Sequence, residues 1–478
     1  MSETIKNEKT KNNKIPTFDA KEKLILLTIC FIMIMELIDT SVLNTALPQI
    51  AFDFKINPIQ LKVAITIYLL TLGMFIPCAA WMADRFGVIR VLSLATLGFV
   101  LSSVACGMAH GEVSLVVARA FQGVFGAFAM PIGRLIMVRL FPHKLVSALS
   151  FIATIVIIGP LLGPIVGGAI TTWLNWRVIF FINVPIGLFA IWALHRFFPK
   201  LRQPLKTKFD LFGFLMLSIS LALMLFVMDT LVEPSISWKL KVIAIFISII
   251  LMTSYVFYAL KKENPIVDIR LFKDPLFRFF ANMNVLLRLF LMGFNFLFPL
   301  YLQTKHGFSA FDSGMVMFPV VIGSWIAKRT IKPLLTRWLY KRFMIILLTL
   351  IFCINLLLAL NFLYFNLITF IILGFIIGWA ISGFITITNT GVYKGLDEES
   401  VSAGTTINSA IIQLGSSFAV AIIASVLIAS SGHFELNWNT ALPDYSYCIY
   451  MLVSSLGVLC MLTYTIRAPK VIHQLTAS

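Results

Sequence analysis

Charge is scarce in this sequence. Only 12% of its 478 residues are Asp, Glu, Lys or Arg, against 59% hydrophobic residues, whereas an ordinary soluble domain is nearer a quarter charged. A soluble core could not hide that much apolar surface, so the class expected is an all-α polytopic membrane protein. Acids are scarcer than bases, 21 to 38. The basic excess recurs in short clusters between apolar runs and forms no single patch, which argues against a nucleic-acid partner. Cysteine is sparse as well. Cys30, Cys78, Cys106, Cys353, Cys448 and Cys460 fall in or beside apolar runs and none makes a CxxC pair, so packing is their expected use. The six histidines stand singly along the sequence, which gives a metal site little support. No GxxxxGK[ST] phosphate loop occurs, so no ATP engine, no cofactor and no ATPase partner is implied. No His/Asp/Ser constellation lies within the apolar runs, which argues against an enzyme. The first two dozen residues are polar and lysine-rich, without the short apolar core of a removable signal peptide.

What is present is a succession of apolar runs of about twenty residues, the length that crosses a bilayer as a helix. Fourteen are read, at 24–47, 61–82, 89–109, 113–138, 146–171, 177–198, 209–230, 240–260, 276–301, 313–331, 343–361, 366–391, 402–430 and 446–466. The tenth is short and ends in Lys328 and Arg329. Loop charge checks the count. With both termini cytoplasmic, the inner segments hold roughly 29 Lys and Arg and the outer ones about 6, a heavy positive-inside bias. Arg119, Arg134 and Arg288 are left within spans. A missed or extra span would scramble that asymmetry.

The fifth run carries GPLLGPIVGG, with Gly159, Pro160, Gly163, Pro164, Gly167 and Gly168, followed by WRVIFFINVPIG at 176–187. Such a string would ruin a soluble helix. In a membrane, neighbouring helices re-satisfy the backbone groups that proline frees, and small residues admit close helix packing. The run therefore reads as a packing surface and a bend.

Only two carboxylates lie well within a span, Glu36 and Asp39, about 60° apart on one helical face. Asp39 lies roughly 12 Å from the outer end of its helix and Arg119 roughly 9 Å. The matched depths predict an ion pair between the first and fourth spans, since a lone charge at either place is costly. A protonatable carboxylate beside a fixed cation suits a proton-coupled switch; the alternative is a permanent tie between two helices. Arg119 heads a stripe of Gln122, Gly126 and Gly133, with Arg134 nearby. Arg288 shares a face with Asn284 and Asn295. An interior with three cations and two anions favours an anionic or zwitterionic cargo, unless Arg134 snorkels to the cytoplasmic interface.

These residues resemble the major facilitator superfamily, specifically its fourteen-span drug:proton antiporter branch, over nearly the whole chain past residue 24. LIDTSVLNTALP at 37–48 resembles that branch's first-helix signature, with Asp39, Asn44 and Pro48. ADRFGVIR at 83–90 resembles the loop motif between helices two and three, through Asp84, Arg85, Gly87 and Arg90, although Ala80 stands where that motif opens on glycine. RAFQGVFGA at 119–127 resembles the fourth-helix motif, and GPLLGPIVGG the antiporter motif of helix five. FLFPLYLQTKHGFSAFDSGMVMFP at 296–319 and AGTTINSAIIQLGSSFAVA at 403–421, the latter with Asn408, resemble signatures around helices nine to ten and thirteen. FPHKLVSALSF and MPIGRLIMV are similar to a subgroup of bacterial multidrug exporters.

The resemblance implies a cytoplasmic tail over 1–23, a six-helix bundle over 24–198, a linker with two inserted helices over 199–275, a second bundle over 276–466 and a cytoplasmic tail over 467–478. It implies rocking of the bundles about a midplane site, in a monomer of the bacterial inner membrane. Asp39 would carry the proton, with Glu36 as auxiliary carrier or substrate contact and Arg119 as counter-charge. Arg288, Arg134, Gln122, Asn44, Asn284, Asn295 and Asn408 would line the cavity. Asp84, Arg85, Gly87 and Arg90 would form a cytoplasmic gate loop. Its second-half counterpart, KPLLTRWLYKR at 332–342, has Tyr340 in place of glycine and lacks the acid, so the latch should not be symmetrical. The expected function is proton-coupled export of drugs or toxic compounds, driven by the proton gradient. Alternatives are export of an endogenous anion, such as an organic acid, siderophore or metal chelate, and a membrane sensor on a transporter scaffold.

Overall fold

The computed structural model describes residues 18–56, 61, 63–199, 208–230, 236–291, 298, 301–302, 306–308, 312, 315–337, 340–364, 366–397, 400–413, 415 and 444–468. Among them the regular structure is helical. The helices are α1 Ala20–Phe54, α2 Val63–Phe75, α3 Ala79–Phe86, α4 Val88–Gly107, α5 Glu112–Gly126, α6 Ala129–Leu140, α7 Leu145–Trp173, α8 Val178–Phe181, α9 Asn183–Phe197, α10 Leu211–Thr230, α11 Trp238–Lys261, α12 Pro275–Leu291, α13 Phe318–Arg337, α14 Tyr340–Leu363 and α15 Leu367–Tyr393. A helical stretch over 400–413 follows as α16, and α17 is Asp444–Ile466. Among the described residues ten stretches are long and apolar enough to cross a membrane.

Three expected spans of the N-terminal half are each divided in two. The second breaks at a 3-10 turn, Ile76–Cys78, between α2 and α3; the fourth at Ala127 and Phe128; the sixth at Ile182. Each break has a proline in it or within the next helix's first turn: Pro77, Pro131 and Pro185. A first turn tolerates proline because its N–H groups have no intrahelical partner. In contrast α7 runs unbroken through Pro160 and Pro164, and α13 through Pro333.

Two corrections to the sequence reading follow. The helix expected to end near Lys328 and Arg329 continues to Arg337, so much of 332–342 is helix and not loop. The gate motif is not a loop either: Asp84 and Arg85 close α3, Arg90 lies in the first turn of α4, and one residue joins the helices. That residue is Gly87, at φ 90°, a conformation open to glycine and strained for a residue with a Cβ.

The helices pack as two groups. In the first, α1 lies along α7, α5 joins α2 and α4, and α9 bridges α1 and α4. In the second, α15 packs on α13, α12 and α14, and α17 on α14 and α12. The groups meet where α7 lies against α13 and α15. The pair α10 and α11 stacks together and reaches the first group through α2; Ser218 donates to the Met74 carbonyl at 2.5 Å. Outward faces of α11 are apolar, with Phe246, Ile250 and Phe257 exposed, as a helix against lipid requires.

The glycines of α7 explain the close α1–α7 contact. A Cβ on Gly159 would lie 2.6 Å from the Cβ of Leu37, and one on Gly163 would lie 2.9 Å from the backbone carbon of Ser41. Those two positions flank Asp39, so α7 grips α1 on either side of its buried acid. Gly167 is buried too; the side-chain positions of Pro160, Pro164 and Gly168 lie outside the described set.

Candidate functional site: a buried ionic cluster and the seam between the halves

Asp39 is the centre of a polar cluster drawn from five helices. Arg119 of α5 is fully buried and its Nη1 is ion-paired with Asp39 Oδ2. The same Nη1 donates to Gln122 Oε1 at 2.6 Å, and Nε reaches the Ala64 carbonyl of α2 at 3.4 Å. The guanidinium carbon lies 4.1 Å from the ring centroid of Tyr68, also on α2, a cation–π geometry that strengthens away from water. The other Asp39 oxygen, Oδ1, accepts from Gln122 Nε2 at 2.9 Å and from Asn183 Nδ2 at 3.3 Å. Both amides also donate to Ser103 Oγ of α4, at 2.8 and 3.2 Å. The Cys106 thiol donates to Gln122 Oε1 at 3.5 Å.

The local sequence explains the convergence. Arg119 and Gln122 are i and i+3 on α5 and share a face; Ser103 and Cys106 repeat that spacing on α4. Gly123 lets α2 approach α5: a Cβ there would strike the Tyr68 carbonyl. Charges this deep are tolerable only when paired and hydrogen-bonded throughout, and the cluster meets that condition for Asp39.

Glu36 lies about one turn from Asp39 and is buried. It lines a narrow internal space with Met35 of α1, Thr96 and Phe99 of α4, and Phe125 and Gly126 of α5. It therefore faces the interior of the first helix group, within electrostatic range of Asp39 and Arg134.

Arg134 does not snorkel. It is fully buried on α6 and its Nη1 donates to Ser409 Oγ of α16 at 3.0 Å, across the seam between the groups. Asn408, the preceding residue, accepts from Asn284 Nδ2 of α12 at 2.8 Å and faces Asn389 Oδ1 at 3.4 Å and the Tyr393 hydroxyl at 3.5 Å. Arg288 stands one turn along α12 from Asn284, buried, with its Cβ against Gly415. Arg134 and Arg288 thus approach one carboxamide ladder from opposite groups. The side chain of Asn44 and all of Asn295 lie outside the described residues.

The seam is also crossed near the α3 end, by Ser402. Within the first group, Asp84 Oδ1 accepts from Arg139 Nη2 at 3.1 Å. The Ser402 hydroxyl of α16 lies between that carboxylate and the Ala80 carbonyl, 3.5 Å from the latter. Arg85 and Arg90 are exposed. On the other side of the seam, Lys328 of α13 sets its Nζ 4.5 Å from the ring centroid of Phe151 on α7. Phe151 is backed edge-on by Phe18, which also packs on Phe141. Tyr340, in the glycine's place, is fully buried beneath Lys394 at 4.7 Å. The two sides of the seam are chemically different, an acid–hydroxyl contact against a cation–aromatic one.

Sequence reasoning missed Asn183, Ser103, Tyr68, Ser409, Asn389, Tyr393 and Phe151. Asn183 left one signal: it is the sole side-chain amide in an otherwise apolar run from 178 to 194. A second missed cluster fixes the inserted helices. Asp210, just before α10, accepts from Lys262 Nζ at 2.8 Å, from the Tyr258 hydroxyl at 2.7 Å, and from the Gly213 and Ile266 amides. Burial raises the carboxyl, but those donors outweigh it and hold Asp210 below the usual carboxylate range.

A model of the Major Facilitator Superfamily matches residues 29–329. The chain belongs to that superfamily. It is 33% identical to "Probable transport protein HsrA" of Haemophilus influenzae, over 92% of this chain and 94% of that one. It is 29% identical to "Putative multidrug resistance protein MdtD" of Serratia proteamaculans over 90% and 91%, and 31% identical to the protein of that name in Salmonella typhi over 88% and 89%. Among solved structures it is similar to the human organic anion transporter MFSD10 (TETRAN), with TM-score 0.60, 12% identity and coverage of 92% and 100%. It is also similar to the proton:xylose symporter XylE bound to 6-bromo-6-deoxy-D-glucose, with TM-score 0.63, 15% identity and coverage of 92% and 95%. The structural likenesses show the fold. The superfamily makes the chain an integral membrane transporter and not an enzyme.

Proposed function

We propose that this protein is a proton-coupled antiporter that exports small molecules, drugs or toxic compounds among them, across the bacterial inner membrane by alternating access. In this reading fourteen spans cross the bilayer with both termini cytoplasmic, and the monomer is formed by bundles over 24–198 and 276–466 flanking the insert at 199–275. The observation that carries it is the buried Asp39–Arg119 pair, its acid held by further donors from α5 and α9, Gln122 and Asn183. An ionised Asp39 neutralises Arg119 and ties α1 to α5. A protonated Asp39 leaves Arg119 in excess, which weakens that tie and shifts the balance between inward- and outward-facing shapes. The relatives named for multidrug resistance support efflux as the direction.

The test is ethidium efflux driven by a pH gradient in everted membrane vesicles, with Asp39→Asn beside the wild type at matched membrane levels. Loss of driven transport is expected. Undiminished transport by Asp39→Asn removes Asp39 from the mechanism.

One observation favours a second reading, export of an endogenous anion: Arg134 and Arg288 reach the seam from both sides. Under it, Arg288→Gln reduces export of organic anions more than efflux of ethidium; equal loss of both assigns Arg288 to folding. A membrane sensor is a reading of another class, and counterflow by the purified protein in proteoliposomes excludes it.

A further inference from the structure

Asp39 Oδ1 receives two carboxamides that duplicate each other. Gln122 and Asn183 each donate to that oxygen and to Ser103 Oγ. They differ at their other ends. The Gln122 carbonyl accepts from Arg119 at 2.6 Å and from the Cys106 thiol at 3.5 Å. The Asn183 carbonyl accepts no hydrogen bond among the described residues.

An ionised carboxylate only accepts, so both amides must present NH2 to it. A proton arriving at Asp39 goes to Oδ1, because Oδ2 faces the Arg119 cation. The new O–H then meets two donors, and one amide must turn its carbonyl towards it. Gln122 is pinned by the arginine and the thiol. Asn183 is not, and it opens α9 directly after the break at Ile182, with Pro185 in the same turn, where the backbone lacks full helical bonding.

We propose that Asn183 is the positioning residue that reads the protonation of Asp39: its carboxamide donates to the ionised acid, swivels to accept from the neutral one, and passes that turn to the head of α9. The inference rests on the reading of Asp39 as a proton carrier. The other titratable or charged groups facing this site are Glu36 on α1, Tyr68 on α2, Cys106 on α4, Arg119 on α5 and Arg134 on α6. α7 and α8 carry no ionisable side chain apart from the α8-flanking Arg177, and α9 carries His195 and Arg196 only in its last turn.

The experiment is pH-difference infrared spectroscopy of the purified protein in lipid. The band of protonated Asp39 is the carboxyl stretch lost in Asp39→Asn. In wild-type protein with side-chain 13C-labelled asparagine, an asparagine carbonyl band should change with the same midpoint as the Asp39 band and vanish in Asn183→Leu. Asn183→Leu should also move the Asp39 midpoint up by about one pH unit, because a hydrogen bond to the charged form is worth more than one to the neutral form. Asn183→Ser, whose hydroxyl both donates and accepts, should recover most of that shift. If the Asp39 band titrates with no asparagine band beside it and the same midpoint in Asn183→Leu, this inference fails alone. If no carboxyl band is lost in Asp39→Asn at any pH, the proton-carrier reading fails and takes the inference with it.

Discussion

The two halves of the molecule fill their interiors with different polar chemistry. The first uses fixed ions, Asp39 against Arg119 with Glu36 and Arg134 in range. The second places neutral carboxamides and hydroxyls at its heart, Asn284, Asn389, Asn408 and Tyr393, with Arg288 at one end. A carboxylate changes charge when it gains a proton, so its partners must rearrange. Carboxamides do not titrate; they donate and accept in one molecule and adapt to a cargo. Under the proposed function, the contrast gives energy coupling to the first half and orientation of cargo to the second.

The comparison is broken most forcefully at Arg119. Arg119→Ala leaves Asp39 buried without its cation and should cost about 3–5 kcal/mol, read as a large drop in thermal stability of the solubilised protein. Adding Asp39→Asn should recover part of it, because the orphaned charge is then gone. In the second half, Asn408→Leu should cost about 1–3 kcal/mol through the partners it leaves unsatisfied, with no change in the pH dependence of transport. A shifted pH profile in that variant would erase the proposed division. At the seam, Lys328→Met removes a cation–π contact worth about 0.5–2 kcal/mol. Native Cys30, buried and within electrostatic range of Lys328, should then label faster with maleimide. The smallest effect belongs to Asp210. Its folded carboxyl lies below its unfolded value, so its contribution is present above about pH 4 and fades as pH falls through the folded value. Asp210→Asn should flatten the acid limb of a stability–pH curve; an unchanged limb would show that Lys262, partly exposed to solvent, contributes little there.

Much of the first half was legible because charge is so costly in a membrane. Two acids and one deep arginine at matched depth leave few arrangements, and Gln122 followed from its i+3 spacing. The glycines of α7 were legible as a packing face. Asn183 was not, because a single amide in an apolar run has no periodicity and its partners come from spans remote in sequence. The helix breaks left visible prolines, yet Pro160 and Pro164 sit in an unbroken helix, so proline alone does not say where a span divides. Arg134 was ambiguous because snorkelling and a cross-seam bond to Ser409 need the same residue at the same depth. The asymmetry of the seam was foreshadowed by Tyr340, although its chemistry, Phe151 beneath Lys328, depends on helices that meet only in three dimensions.

The most direct measurement is proton movement itself. Proteoliposomes holding the purified protein and an internal pH dye are given an outward ethidium gradient with no pH gradient. The account predicts a change of internal pH for the wild type and none for Asp39→Asn at equal protein incorporation. An equal pH change in Asp39→Asn would contradict it.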